Sequence, residues 1–529
     1  MQFTEDPHFA QLEDVYTAFL EAWGAWMVGH HRGVSEDDDT ALEERLVAAR
    51  RSVARTLGAN DWSDLGPDDR AAFDNLTASL PEFDAWAEPL DGIHLANEAT
   101  AAVSGDAAGS TSMQSLRRST FEGWGTGMAT VEMGDERLDR LTISGRLARE
   151  LDPAVRHRMF LAMDGAWRRL NADDGPTSPY RRLVAESAAT WQREGSPIAA
   201  NAAALGLDPD AVEPMLRRLL GTYRTLALGS ALVEPWDYRF VVGGLARRLD
   251  AEIPITRLRS INDAYLRSIG ADPDRLRIGY DIFSRPGRPL IPTAFTVTED
   301  AASRHGEAWV PARPWVFATY AEGGIGNLEE LLHESGHALH YAAIRTRPAL
   351  FAWPPDQTAF VEAVADVVGW TVHEPAFLQE HLGVEVSVRD SAIARFGGVM
   401  LDVAWTLFEI EVHRHPDRSP NEAWAEIVER DLGIRGHPEW SWWAGRGQLI
   451  DGPGYLANYA LGAIMVSAVR ARIRELRGDW AGGDPGWYAF VSRNLLVHGG
   501  AKAPRDLLLA FLGQPLSIEP ILAEIELAG

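Results

Sequence analysis

Cysteine is absent from this 529-residue chain, which excludes disulfides and thiolate ligands. Any metal ion must therefore be held by histidine and carboxylate side chains. Lysine is almost absent too: Lys502 is the only one, so arginine carries nearly all the positive charge. That charge is outnumbered, 50 Lys+Arg against 76 Asp+Glu, for a formal net charge of −26. Such a balance argues against nucleic acid or membrane as a partner, since both call for basic surface. Long hydrophobic runs are also missing. The longest apolar stretch, around Tyr459 to Val469, is too short to cross a bilayer. Met1-Gln2-Phe3-Thr4-Glu5-Asp6 has neither a basic n-region nor an apolar core, so no secretory leader is expected. The expectation is a soluble, cytoplasmic protein.

What the chain has in quantity is amphipathic helix, with apolar residues recurring at three and four. The pattern predicts helices over Phe9 to Trp26, Ala41 to Leu57, Leu138 to Leu151, Val212 to Leu228, Ile393 to Val412 and Leu456 to Leu476. Strand signals are sparse and cluster at Arg277 to Phe283, Ala294 to Thr298 and Trp315 to Tyr320. The fold class is therefore mainly α with a small β-sheet. Polar segments near Glu36 to Thr40, Gly105 to Ser115 and Asp173 to Ser178 read as surface loops. No composition break separates domains. The expected organisation is a helical lobe over 1–250 and a catalytic lobe over 251–529, sharing a surface. Nineteen tryptophans suit core packing, with Trp440, Trp442 and Trp443 as alternative channel-lining residues.

The chemistry concentrates at His333-Glu334-Ser335-Gly336-His337. On a helix, residues four apart share a face, so His333 and His337 can grip one metal ion. Glu334 lies beside them, placed to take a proton from a water molecule. Asn327 is expected to cap this helix, with Glu330 completing a capping box. Glu329, one turn before His333, is a candidate to hydrogen-bond a ligand imidazole or simply a solvated charge. A second helix is expected after Pro354-Pro355, with Asp356 as its cap. It places Glu362 and Asp366 on one otherwise apolar face, where unpaired carboxylates are costly. Glu362 reads as the third ligand of a single Zn2+ ion, and Asp366 as the group that orients a histidine. Ala343 occupies the place from which another zinc-peptidase class takes a third histidine. His340 extends the same face as a neighbour. Downstream, Gly452-Pro453-Gly454-Tyr455-Leu456-Ala457-Asn458-Tyr459 sets two tyrosines four apart after a glycine-rich turn. Tyr459 or Tyr455 is a candidate donor to a developing oxyanion, and either is equally a helix-packing residue.

Together these residues resemble the gluzincin zinc oligopeptidases: the thimet oligopeptidase and oligoendopeptidase F family, and the related angiotensin-converting enzyme family. The HExxH motif followed 25 residues after His337 by Glu362 is similar in spacing. Phe360-Val361-Glu362-Ala363 resembles the thimet form, and Glu362-Ala363-Val364-Ala365-Asp366 the converting-enzyme form. Gly279 to Arg288 resembles the strand and turn before the site. The Ala392 to His413 and Asn421 to Ile434 segments and the Leu507 to Ile525 ending are similar in pattern. The resemblance implies a two-lobed helical metallopeptidase with a deep central channel, and the Trp315 to Tyr320 strand as the edge that pairs with substrate. It implies zinc-dependent hydrolysis of short peptides, as an endo-oligopeptidase or a C-terminal dipeptidase.

The chain also departs from the pattern. Both families carry a transition-state histidine shortly before the tyrosine segment; aligned on Tyr455, that position is Gln448. Arg446 then falls where converting enzymes bind the substrate carboxylate through a lysine, with Tyr455 on its tyrosine partner. The catalytic tyrosine falls on Asn458, one short of Tyr459. Either the helix is shifted or oxyanion stabilisation differs. Two alternatives follow: a hydrolase repurposed for a specialised amide, or a peptide-binding pseudo-peptidase, the latter opposed by the intact Glu334.

Overall fold

Three- and four-residue apolar spacing gives each helix one stripe to bury, and stripes of this kind pack helix against helix. The computed structural model describes residues 4–86, 110–285, 291, 294–305 and 308–529. Helix makes up 68% of the protein, so the class is mainly α. The six expected helices are present as Pro7–Arg32, Glu36–Ala59, Arg140–Arg149, Val212–Ala227, Val388–Arg414 and Ala457–Arg477. The Glu36 to Thr40 segment is helical rather than a loop. Ser35 accepts from the Asp38 amide, and Glu36, Asp37, Asp38 and Asp39 fill the first turn, where acidic side chains suit the helix dipole. Of the expected loop Gly105 to Ser115, residues 105–109 lie outside the described residues, and Ser110–Ala129 is a helix. Asp173 to Ser178 does form a turn before the Pro179–Glu194 helix.

The chain divides into two compact units, each assembled from three segments. The first comprises Met1–Ala107, Ile253–Val372 and Arg474–Gly513; the second comprises Ala108–Glu252, His373–Ile473 and Gln514–Gly529. A crossing between units falls at Glu252/Ile253, close to the expected boundary. The chain passes back and forth between the units, so each unit draws on residues from both sides of the expected 250/251 boundary.

In the first unit, the Pro7–Arg32 helix is tied to the segment after the HExxH motif by a buried ion network. Arg347 donates through Nε and Nη2 to the two Glu13 oxygens and through Nη1 to Asp69 Oδ1, all at 2.8 Å. The two-pronged Arg–carboxylate geometry satisfies both charges out of water. The same unit holds a three-stranded sheet. Pro314–Tyr320 lies in the middle, parallel to Gly279–Phe283 and antiparallel to Phe295–Thr298. This corrects the expectation of an edge strand at Trp315 to Tyr320: both of its sides are paired. Among the described residues the outer strands are Gly279–Phe283 and Phe295–Thr298. Residues 286–288 of the Gly279 to Arg288 segment lie outside the described residues.

In the second unit the Val388–Arg414 helix is the spine. By length and composition it could cross a membrane, but 72% of its most apolar window is buried in the protein, the pattern of a core helix. Trp442 and Trp443 are buried, and the Trp443 indole donates to Asn421 Oδ1 at 2.7 Å. Trp440 stacks on His437 with ring centroids 4.4 Å apart. All three are packing residues rather than channel lining. Glu409, fully buried on the spine, accepts from the Gly454 amide at 2.6 Å through Oε1, and so pins the turn that precedes the tyrosines.

Burial pushes the Glu409 carboxyl up to about 8, against a smaller opposing effect of the Gly454 amide. Between its ordinary value and about 8, the folded chain holds a proton that the unfolded chain releases. Stability therefore falls by about 1.4 kcal/mol per pH unit through that window from this group alone, and levels off above it. Urea unfolding of wild type and Glu409→Gln between pH 5 and 9 checks this. Wild type should lose stability relative to the variant as pH rises to about 8, and a pH-independent difference would contradict it.

Candidate metal centre

The motif helix runs Ile325–Ala343 and the second acidic helix Thr358–Gly369. Neither starts as the sequence suggests. Gly324 precedes the first without a side-chain cap, and Asn327 sits inside the first turn, donating to Glu322 O and Gly323 O. Glu330 is not part of a capping box; it is partly buried beside Tyr320, and burial raises its pKa. Asp356 lies in a short 3-10 turn, Pro355–Gln357, rather than at the cap.

Two glycines let these helices meet closely. A Cβ on Gly336 would stand 2.6 Å from Ala365 O and 2.7 Å from Ala365 Cα, and one on Gly369 would stand 3.2 Å from His333 Cβ. The approach brings His333 and His337 against Glu362 and Asp366. The His333 and His337 Nε2 atoms are 3.1 Å apart. Glu362 Oε2 is 3.5 Å from the first and 4.0 Å from the second. Ligands at 2.0–2.1 Å around a tetrahedral zinc ion are separated by about 3.3–3.4 Å. This triangle brackets that edge length, and its two nitrogens and one oxygen are a zinc-type donor set, so the residues fit a zinc ion.

Asp366 fixes the tautomer. Its Oδ1 accepts from His333 Nδ1 at 2.6 Å, which leaves Nε2 as the lone-pair atom. Burial opposes a charged His333, but Asp366 and Glu362 outweigh it and raise the imidazole well above its usual value. His337 goes the other way: burial and the neighbouring His333 push it down to about 4. A bound dication would replace the proton that His333 otherwise keeps. Asp366 occupies Nδ1 of His333, and the charge of Glu329 acts on Asp366, raising that carboxyl further after burial has done so. His340 is buried against Tyr341, Trp353 and Phe360. It forms no part of the His333, Glu334, His337 group, whose candidate ligand atoms all lie within 4.8 Å of one another.

Glu334 is buried, and burial pushes its carboxyl up to about 7, with His333 pulling it down. Its Oε2 accepts from Thr296 Oγ1 at 2.7 Å, and its backbone carbonyl from the same hydroxyl at 2.9 Å. The outer strand Phe295–Thr298 thus orients the acid. Behind the helix, Tyr280 OH lies 3.0 Å from Ser335 Oγ, and Ser335 donates to Asn262 Oδ1 at 2.9 Å. Thr296, Tyr280 and Asn262 are residues that sequence reasoning missed. For Thr296 and Tyr280 the only signal was the strand pattern, and Asn262, on the Ile255–Ser268 helix, had none, because the contacts join segments far apart in the chain.

The downstream candidates belong to the second unit. Tyr455 and Tyr459 are partly exposed neighbours, ring centroids 5.9 Å apart and near-perpendicular. Asn458, the position that the resemblance assigns to a tyrosine, is buried. Gln448 opens a one-turn helix, Gln448–Asp451, and is partly exposed. Arg446 is ion-paired with Asp402 at 2.7 Å.

No family model matches the chain, and no curated protein matches it. Solved structures do share its fold. An M32 carboxypeptidase from Deinococcus radiodurans R1 is similar with a TM-score of 0.57 and 14% identity over 98% of both chains. A putative oligoendopeptidase F gives 0.54 and 16% identity, over 100% of this chain and 97% of the other. PZ peptidase A with a bound inhibitor gives 0.56 and 14% over the same shares. At such identities the likeness establishes the fold: this chain is built as the helical metallopeptidases are.

Proposed function

We propose that the protein is a zinc-dependent peptidase that hydrolyses short peptides, with one zinc ion held by His333, His337 and Glu362. The observation that carries the reading is the convergence of those three donor atoms within 3.1–4.0 Å of one another, beside a carboxyl held by Thr296. The shared fold with a carboxypeptidase and an oligoendopeptidase supports it.

Zinc, when bound, would polarise the scissile carbonyl and make water more acidic. Asp366 holds His333 in the tautomer that keeps Nε2 unprotonated. Thr296 occupies Glu334 Oε2 and leaves Oε1 for the proton of the attacking water. Glu334 then returns that proton to the leaving amine, the general-base and general-acid roles of one carboxyl. Substrate backbone would pair with the outer strand Phe295–Thr298 rather than with Pro314–Tyr320.

Mass spectrometry of a mixed peptide library incubated with zinc-loaded wild type and Glu334→Gln tests the reading. Wild type should cleave and the variant should lose about 10²–10⁴-fold in rate. Release of C-terminal dipeptides would mark a dipeptidase, and internal cuts an endo-oligopeptidase. No cleavage by wild type carrying one zinc per chain would refute a general peptidase. Asp366→Asn should weaken zinc binding about 10–100-fold, read by competition with a chromogenic chelator; unchanged affinity would remove Asp366 from the centre.

A further inference from the structure

The two outer strands of the sheet in the first unit meet the motif helix from one rung. Tyr280 on Gly279–Phe283 is paired with Val316, and Val316 is paired in turn with Thr296 on Phe295–Thr298. Residues paired across strands present their side chains on the same face of a sheet. Tyr280 and Thr296 therefore stand on one face, on either side of the buried Val316. They take hold of consecutive residues of the motif. Thr296 Oγ1 donates to Glu334, and the Tyr280 hydroxyl lies 3.0 Å from Ser335 Oγ.

The Tyr280 end closes into a ring. Asn262, on the Ile255–Ser268 helix, donates from Nδ2 to the Tyr280 oxygen at 3.2 Å, and Ser335 donates to Asn262 Oδ1 at 2.9 Å. An amide nitrogen can only donate, so Tyr280 passes its single proton on to Ser335, and the direction of each bond is fixed. Ser335 shares its proton with Leu331 O, 2.8 Å away on the same helix. The other Nδ2 proton goes to Asp263 Oδ1 at 3.2 Å, which also accepts from Arg259 Nε at 2.7 Å. The Arg259 guanidinium in turn covers the Tyr280 ring, 3.6 Å from its centroid. Asn262 and Ser335 are fully buried, where bonds in such a network strengthen one another. Ser335 lies about 160° around the helix from both His333 and His337, so a hold on it fixes the helix from behind. Turning the helix by about 5° would swing a group about 6 Å from its axis by about 0.5 Å, the tolerance of a catalytic constellation. A bound zinc ion would tie His333, His337 and Glu362 directly. Glu334 is not among those ligands, so its direction depends on the rung.

We propose that Tyr280 and Asn262 are positioning residues of the hydrolytic centre. With Ser335 they close a hydrogen-bond ring that, together with Thr296, clamps the Glu334–Ser335 step and sets the direction of the Glu334 carboxyl. The inference rests on the reading of Glu334 as the general base. A ring that only held the fold together would be felt in the melting temperature alone. A ring that aims the carboxyl is felt in the chemical step, where a small misplacement of a reacting group costs rate.

A double-mutant cycle in the zinc-loaded full chain, Tyr280→Phe against Ser335→Ala, tests it with two readouts. One is peptide-cleavage kinetics; the other is calorimetric binding of acetohydroxamate, a zinc chelator whose proton bonds to a neighbouring carboxylate. Each single variant should lower kcat about tenfold with KM within about twofold, and weaken acetohydroxamate about fivefold or more. Zinc affinity should stay within about twofold. The double variant should be no worse than either single one, since all three break the same ring. Lower melting temperatures with unchanged kcat and acetohydroxamate binding would leave the ring a structural anchor and overturn the proposal. Losses that multiply in the double variant, or a parallel loss of zinc affinity, would overturn it too. If wild type cleaves no peptide, the peptidase reading falls. Acetohydroxamate binding then still decides the positioning role, because it reports the carboxyl beside the zinc rather than turnover. Thermal melts check that the variants fold; where Ser335→Ala does not, Asn262→Leu takes its place in the cycle with the same outcomes.

Discussion

Backbone-to-backbone contact between the motif helix and the Thr358–Gly369 helix sets everything at the metal centre. Gly336 lies against the Ala365 peptide and Gly369 against His333. A methyl group at Gly336 would have to overlap backbone atoms that cannot swing aside as a flexible side chain can. Spread apart, the helices would lose the 2.6 Å bond from His333 Nδ1 to Asp366 and the approach of Glu362 to both imidazoles. Donor geometry tolerates errors of only about half an ångström. The x-x residues of the motif, Ser335 and Gly336, are therefore as constrained as the ligands: one anchors the helix to Tyr280 and Asn262, the other permits the contact.

Charge is handled differently in different parts of the molecule. Arg347 is saturated by Glu13 and Asp69. Arg395 and Arg470 share Glu374, and Arg395 also pairs with Glu524. The Arg347 network closes on itself, as a structural ion pair must if it is to offset desolvation. The histidine–carboxylate group at the motif does not close: two imidazoles face each other, with two carboxylates alongside. Open charge held in place by closed packing is what a site for an ion requires.

Much of the centre was legible because its chemistry is local. The i, i+4 imidazoles and the i, i+4 pair Glu362 and Asp366 each announce a helix face, and the structure brings the two faces together. The three strands were legible from β-branched and aromatic runs. Their order was not, since pairing Pro314–Tyr320 on both sides depends on partners 16 to 37 residues away; that is why an interior strand reads as an edge. Asn327 fits a cap by residue type, yet its amide serves carbonyls of the preceding turn instead. The acidic run at Glu36 to Asp39 reads as solvated loop by composition but favours a helix start through the dipole. Thr296 carries no local signature; only the folded chain places it against Glu334. The same holds for the interleaving of the two units, which no composition break reports.

The measurement that bears most directly on this account is anomalous diffraction at the zinc edge from crystals grown with zinc. The account predicts one peak per chain, bounded by His333 Nε2, His337 Nε2 and a Glu362 oxygen, with Asp366 still bonded to His333 Nδ1. A peak elsewhere, or none at full zinc occupancy in solution, would contradict it.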